Sequence, residues 1–112
     1  MDGASPSGLV KLAVHASPPL HHPVRFFLTA PLFGIAAGCV LLLEPTAWTS
    51  RWMPATLAAV HLVTVGVMLM VMAGALFQVV PVLQARPVAC GRVAVPVVHL
   101  TLSAGAVALA VG

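Results

Sequence analysis

Three long apolar stretches, separated by short polar connectors, follow one another from residue 26 onward. They run from about 26 to 43, 54 to 83 and 93 to 112, and each can cross a hydrocarbon core of about 30 Å as a helix. Runs of about 18 or more apolar residues with few charges are typical of transmembrane helices. The pattern predicts an all-α integral membrane protein with about three transmembrane helices, forming one domain over residues 25–112.

The residues before the first apolar stretch, 1–24, have a different composition. Pro6, Pro18, Pro19 and Pro23 recur among Ser and Gly residues, and such a composition neither sustains a helix nor buries much surface. We therefore expect a Pro-rich amino-terminal arm that is flexible or lies on the membrane surface.

Composition supports the membrane assignment and narrows the function. Of the 112 residues, 61% are hydrophobic and 6% are charged, whereas about a quarter of the residues of soluble domains are charged. The few basic residues are spread along the chain, so nucleic-acid binding is not expected. Three helices leave much apolar surface uncovered, so the expected partners are the lipid bilayer and other membrane subunits or a second copy of the chain.

The charged residues predict an orientation in the membrane. Lys11 and Arg25 precede the first segment against a single acid, Asp2, and Arg86 and Arg92 lie in the second connector. In the first connector the negative charge of Glu44 and the positive charge of Arg51 cancel. Because Lys and Arg are retained on the cytoplasmic side, we expect the amino terminus and the second connector in the cytoplasm.

Two further features concern helix packing and chain length. Ala30, Gly34 and Gly38 recur every four residues, which permits close helix approach, although glycines are also simply common in membrane helices. The third segment runs to Gly112 without a polar tail. We therefore expect a truncated product, a split subunit or part of a longer protein.

Polar residues inside the apolar segments are candidate functional residues, because a polar side chain at membrane depth is costly. His61 lies about 12 Å inside its segment and is followed on one helix face by Thr64, Val65, Met68 and Met72. Haem b needs a neutral imidazole on iron and an apolar wall against its ring. Two interpretations stay open: His61 is a haem or metal ligand, or it hydrogen-bonds a neighbouring helix while the methionines pack or face lipid.

The other histidines differ from His61 in position. His99, the second candidate ligand, lies about 9 Å deep from the cytoplasmic side, and about 9 Å separates it from the level of His61. Axial ligands of one haem need similar depths, so a packing role is favoured for His99 and the second ligand is expected from another polypeptide or segment. His15, His21 and His22 lack companion ligands and are assigned to the surface. The predicted cofactor-binding set is His61, His99, Thr64 and Met68, with both histidines as metal ligands.

Catalysis by this chain alone is not expected. Asp2 and Glu44 are the only acids, so no carboxylate pair is available for acid–base chemistry. Ser103 and His99 form a one-turn pair without an orienting acid, and no phosphate-binding glycine loop is present.

The stretch from His61 through Ala89 resembles the second helix of the core subunit of haem-copper oxidases and nitric-oxide reductases. In that family a histidine opens a Met-containing helix that closes with Gly, two Val and Pro before an Ala-Arg loop. The corresponding positions here are His61, Met68 or Met70, Gly74, Val79, Val80, Pro81, Ala85 and Arg86.

The resemblance implies that His61 is an axial ligand of a low-spin haem near the outer face of the membrane. It covers about the first three helices of a longer core, and the chain is equally similar to smaller haem-copper-like membrane proteins, including those linked to nitric-oxide response. The prediction is a haem-binding subunit or fragment in respiratory-type electron transfer, in a bacterial-type inner membrane. The alternative is a structural or assembly subunit whose histidines form interhelical hydrogen bonds.

Overall fold

The computed structural model describes residues 5–16 and 18–112, and this part of the chain is helical with no strand. The helices are α1 (Pro6–Ala16), α2 (His21–Leu43), α3 (Pro54–Gln84) and α4 (Gly91–Val111), with a short 3-10 helix (Pro45–Trp48) after α2. α2, α3 and α4, with 23, 31 and 21 residues, are long and apolar enough to cross a membrane. The predicted all-α, three-span membrane architecture is confirmed.

The amino-terminal arm differs from the prediction, because it contains the helix α1. Pro6 is the first residue of α1, where the missing N–H has no helical partner to lose. Pro18 and Pro19 fall between α1 and α2, where they separate the two helices. α2 begins at His21, five residues earlier than predicted. Pro23 does not prevent this start, because it lies in the first turn of the helix, where proline is tolerated. Asp2, the acid on which the predicted orientation partly depends, lies outside the described residues.

α3 lies between the other two spans. α2 packs along most of α3, and α4 packs mainly on the first half of α3, whereas α2 and α4 touch each other little. α2 and α3 run antiparallel, because Phe26 near the start of α2 lies against Gly74 and Ala37 farther along α2 packs on Ala59 and Leu62. The beginnings of α2 and α4 therefore lie at the same end of the bundle as the end of α3.

Two small clusters form the buried core. The Phe26 cluster contains Phe26, Ala30, Met70 and Val95. The Ala37 cluster contains Ala37, Ala59 and Leu62. Only 11–17% of each apolar span is buried within the chain, so most of its surface suits a lipid bilayer.

α2 and α3 approach each other closely at two glycines of α3. A Cβ atom on Gly66 would lie 2.5 Å from Cγ of Phe33, and one on Gly74 would lie 2.8 Å from Cβ of Phe26. Both distances are shorter than carbon atoms tolerate. The two glycines therefore let α2 and α3 approach where any larger residue would separate them.

The small residues of α2 are not the ones that allow this close approach. Ala30 is buried, but a Cβ on Gly34 would make only ordinary contact with Val67 at 3.7 Å. Gly38 has no neighbour for a Cβ within 4 Å in the described part of the chain. Along this face of α2, Ala30 is thus packed inside the bundle, Gly34 makes ordinary contact, and Gly38 leaves space beside it in the described part of the chain.

The middle of α3 is a π-helix over Leu62–Leu69. In a π-helix the backbone bonds span five residues instead of four. The Thr64 hydroxyl donates to the Val60 carbonyl at 2.8 Å, the back-bond by which a helical threonine satisfies its own hydroxyl. The segment begins directly after His61, and π-helical turns are frequent at functional sites.

Candidate functional site

His61 is the last residue of the regular α-helical start of α3, Pro54–His61. It lies seven residues from the beginning of α3, or about 10 Å along the helix axis. The residue is half-buried, and its Nδ1 atom is shielded from solvent with no hydrogen-bond partner in the described part of the chain. Leaving a buried polar atom unpaired costs about 1–3 kcal/mol. The His61 ring is therefore placed for an interaction that the described residues do not supply.

The side chains that the sequence placed on the face of His61 point away from the protein. Thr64 is exposed, and its hydroxyl is already engaged with the Val60 carbonyl. Met68 is 58% exposed, and so is Met72, whereas Met70 is fully buried in the core. A cofactor held on this face would therefore lie outside the three-helix bundle.

An apolar groove of about 430 Å³ runs beside Thr64, between the end of α2 and the first half of α3. Trp48 lines the groove, and its indole N–H donates to the Leu41 carbonyl at 3.0 Å. The Thr56 hydroxyl donates to the Ala47 carbonyl at 2.6 Å. Because these polar groups are engaged within the chain, the groove suits hydrocarbon.

His99 is held by a hydrogen bond between two spans. Its Nε2 atom lies 2.8 Å from Oγ1 of Thr29, and the same hydroxyl donates to the Arg25 carbonyl at 2.7 Å. A hydroxyl has one proton, so this network assigns the proton of the second bond to Nε2 of His99. The ring also meets the Phe26 ring edge to face at 5.3 Å. These contacts join α4 to α2, which is the packing role that the sequence favoured for His99.

The structure does not bring His61 and His99 together. Leu62, the residue after His61, packs on Ala37, whereas His99 bonds to Thr29, eight residues earlier on α2. Eight residues correspond to about 12 Å along a helix. One haem ligated by both histidines of a single chain does not fit this separation.

Thr29 was not identified from the sequence as a partner of His99. Thr29 lies eight residues after the start of α2, and His99 lies eight residues after the start of α4. Both helices begin at the same end of the bundle, so the two residues lie at equal depth. The segment starts predicted from the sequence, at about residues 26 and 93, put Thr29 and His99 at unequal depths, so the pairing follows only from the helix starts in the structure.

The site offers one imidazole with an unpaired buried nitrogen beside an apolar, outward-facing surface. The described residues contain no group of three or more His, Cys, Asp or Glu side chains that could hold a bare metal ion. Iron in a macrocycle needs only one or two protein ligands, and a single histidine fits that requirement. No protein-family model, curated protein or solved structure matches the chain.

Proposed function

We propose that this chain is a haem-binding membrane subunit that takes part in electron transfer, with His61 as an axial ligand of haem b. The observation that carries the proposal is the half-buried His61 ring, whose shielded Nδ1 atom is unpaired in the described part of the chain. A ligating imidazole uses one ring nitrogen for iron and needs a partner for the other. Another chain or the cofactor at this face would supply what is missing.

The second axial ligand comes from outside this bundle. His99 is about 12 Å away by helical rise, and its Nε2 atom is engaged with Thr29. The exposed side chains of Thr64 and Met68 would border the ring where it faces this chain. When bound, haem supplies one-electron transfer, and the residues of this chain hold it and exclude water.

Absorption spectroscopy of the protein, purified in mild detergent with the chains that accompany it, tests this proposal. We expect a Soret band and a reducible α band in the natural protein and their loss in His61→Ala. His99→Ala is the matched control, since it removes the other histidine within a span, and it should retain the haem-to-protein ratio. A natural protein without these bands, or a His61→Ala variant with undiminished haem, would contradict the proposal.

An assembly role is the second candidate, and the open part of α2 favours it. Gly38 leaves space for another helix, with no neighbour within 4 Å in the described residues. In membranes, helices associate through close packing at small residues. A partner helix that packs at Gly38 would make this chain a structural subunit, with His99 and Thr29 tying its own helices together.

Substituting Gly38 with leucine tests this second candidate. We expect the abundance of the larger complex to fall about tenfold, the factor that corresponds to about 1.4 kcal/mol of lost packing. Gly105→Leu is the matched control, because Gly105 in α4 also has no neighbour within 4 Å in the described part of the chain. Size-exclusion chromatography measures the complex. Equal amounts of complex in Gly38→Leu and the natural protein would rule out an interface at this position.

A further inference from the structure

A cavity of about 260 Å³ opens at the end of the bundle where α2 and α4 begin. Phe77 of α3 and the buried Val95 of α4 line its apolar part. Its polar part is formed by His22 of α2 and Arg92 of α4, and the Pro-containing connectors before α2 and α4 complete the wall. The cavity thus joins a hydrocarbon surface to a basic one.

The basic character extends beyond the cavity itself. Arg25 lies one turn after His22, and its Nε atom is buried without a partner in the described part of the chain. Arg86 follows the end of α3, at the same end of the bundle. The acid of the described residues, Glu44, lies at the opposite end of α2. The cations around the cavity therefore have no carboxylate to neutralise them among the described residues, and an anion from outside the chain would be attracted here.

We infer that this cavity binds the phosphate headgroup of an anionic phospholipid. Arginine forms strong charge-assisted hydrogen bonds with phosphate, and Arg92 is exposed and free to turn toward one. The apolar part provided by Phe77 and Val95 suits the glycerol and the first methylenes of the lipid. The cavity is smaller than the 300–1,000 Å³ of typical small-molecule sites, so it fits a headgroup and not a whole cofactor.

The expected orientation agrees with this ligand. The positive-inside rule places Arg25, Arg86 and Arg92 on the cytoplasmic side, and basic residues at that surface attract the anionic lipids of the leaflet. The inference does not depend on haem binding, because His61 lies near the other end of α3.

Native mass spectrometry of the purified protein tests the inference with two lipids of identical acyl chains, phosphatidylglycerol and phosphatidylcholine. We expect phosphatidylglycerol to be retained about fivefold more strongly, and Arg92→Gln to lower its retention about fivefold, the factor for one cation beside an anionic lipid. Arg51→Gln is the matched control, because Arg51 lies at the opposite end of the bundle over the ring of Trp52, and it should change nothing.

Two results would overturn the inference. One is equal retention of the two lipids, or an Arg92→Gln variant that keeps the full preference for phosphatidylglycerol. The other is displacement of phosphatidylglycerol by inorganic phosphate at equal concentration, which would assign the cavity to free phosphate instead of a lipid. Because the Arg92 side chain is exposed, its loss should leave the helix content unchanged by circular dichroism, which separates binding from folding.

Discussion

Phe26→Ala should lower the free energy of unfolding of the helical bundle by about 3 kcal/mol, near the lower end of the range for buried aromatic residues. The Phe26 side chain is 0% exposed, stacks on Phe77 at 5.7 Å and meets the edge of His99. In a membrane the hydrophobic part of the loss is small, because lipid is also apolar. The cavity and the lost packing contacts account for the expected cost.

The neighbouring residue provides the control for this prediction. Phe27 is 38% exposed, so Phe27→Ala removes the same atoms largely from a lipid-facing position, and we expect a cost below about 1 kcal/mol. Far-UV circular dichroism during titration with a denaturing detergent gives both values. Equal costs for the two substitutions would show that the Phe26 cluster does not hold the spans together.

Gly66→Ala should destabilise the bundle by about 1–3 kcal/mol, although alanine is the better helix former. The new Cβ would lie 2.5 Å from Cγ and 2.6 Å from Cβ of Phe33. Because the clash reaches the root of the Phe33 side chain, a rotamer change cannot relieve it, and α2 must move away from α3. The same detergent titration measures the loss.

Two further variants separate this clash from a general effect of alanine. Gly105→Ala, on α4, meets no atom within 4 Å in the described part of the chain, so we expect no loss, or a gain of up to about 1 kcal/mol from helix propensity. In a Phe33→Gly background Gly66→Ala should cost less than in the natural protein, because both clashing atoms of Phe33, Cβ and Cγ, are then absent. Destabilisation by Gly105→Ala to the same extent, or no coupling in the double variant, would contradict the packing at Gly66.

The three spans were predictable from the sequence because hydropathy along the chain determines whether a segment enters the bilayer. The end of α2 at Leu43 was also predictable, since Glu44 and Pro45 combine a charge with a helix breaker. The start of α2 was harder to predict, because a proline in the first turn of a helix resembles a helix breaker in the sequence, although the first turn tolerates it. α1 was not predicted for the same reason, since Pro6 is the first residue of that helix.

The interior of α3 could not be derived from local pattern. The helical spacing groups Thr64, Met68 and Met72 on one face, and all three side chains are exposed. Which face packs on the other helices depends on tertiary contacts, and the structure buries Met70. The widened turn is itself a matter of tertiary packing, since Gly66 lies under Phe33 of another helix. The haem ligand role of His61 and its second ligand stay predictions for the spectroscopic test.

The π-helical turn also has a consequence for how this sequence can change over evolutionary time. A backbone bond that spans five residues becomes an ordinary four-residue bond when one residue is deleted between its ends. A single-codon deletion within Leu62–Leu69 would therefore convert a widened turn to an ordinary α-helical one, while the half of α3 that follows would keep nearly the same face toward α2. Relatives of this protein that are one residue shorter in this segment would share its spans and the packing on either side, and would differ mainly in the widened turn that follows His61.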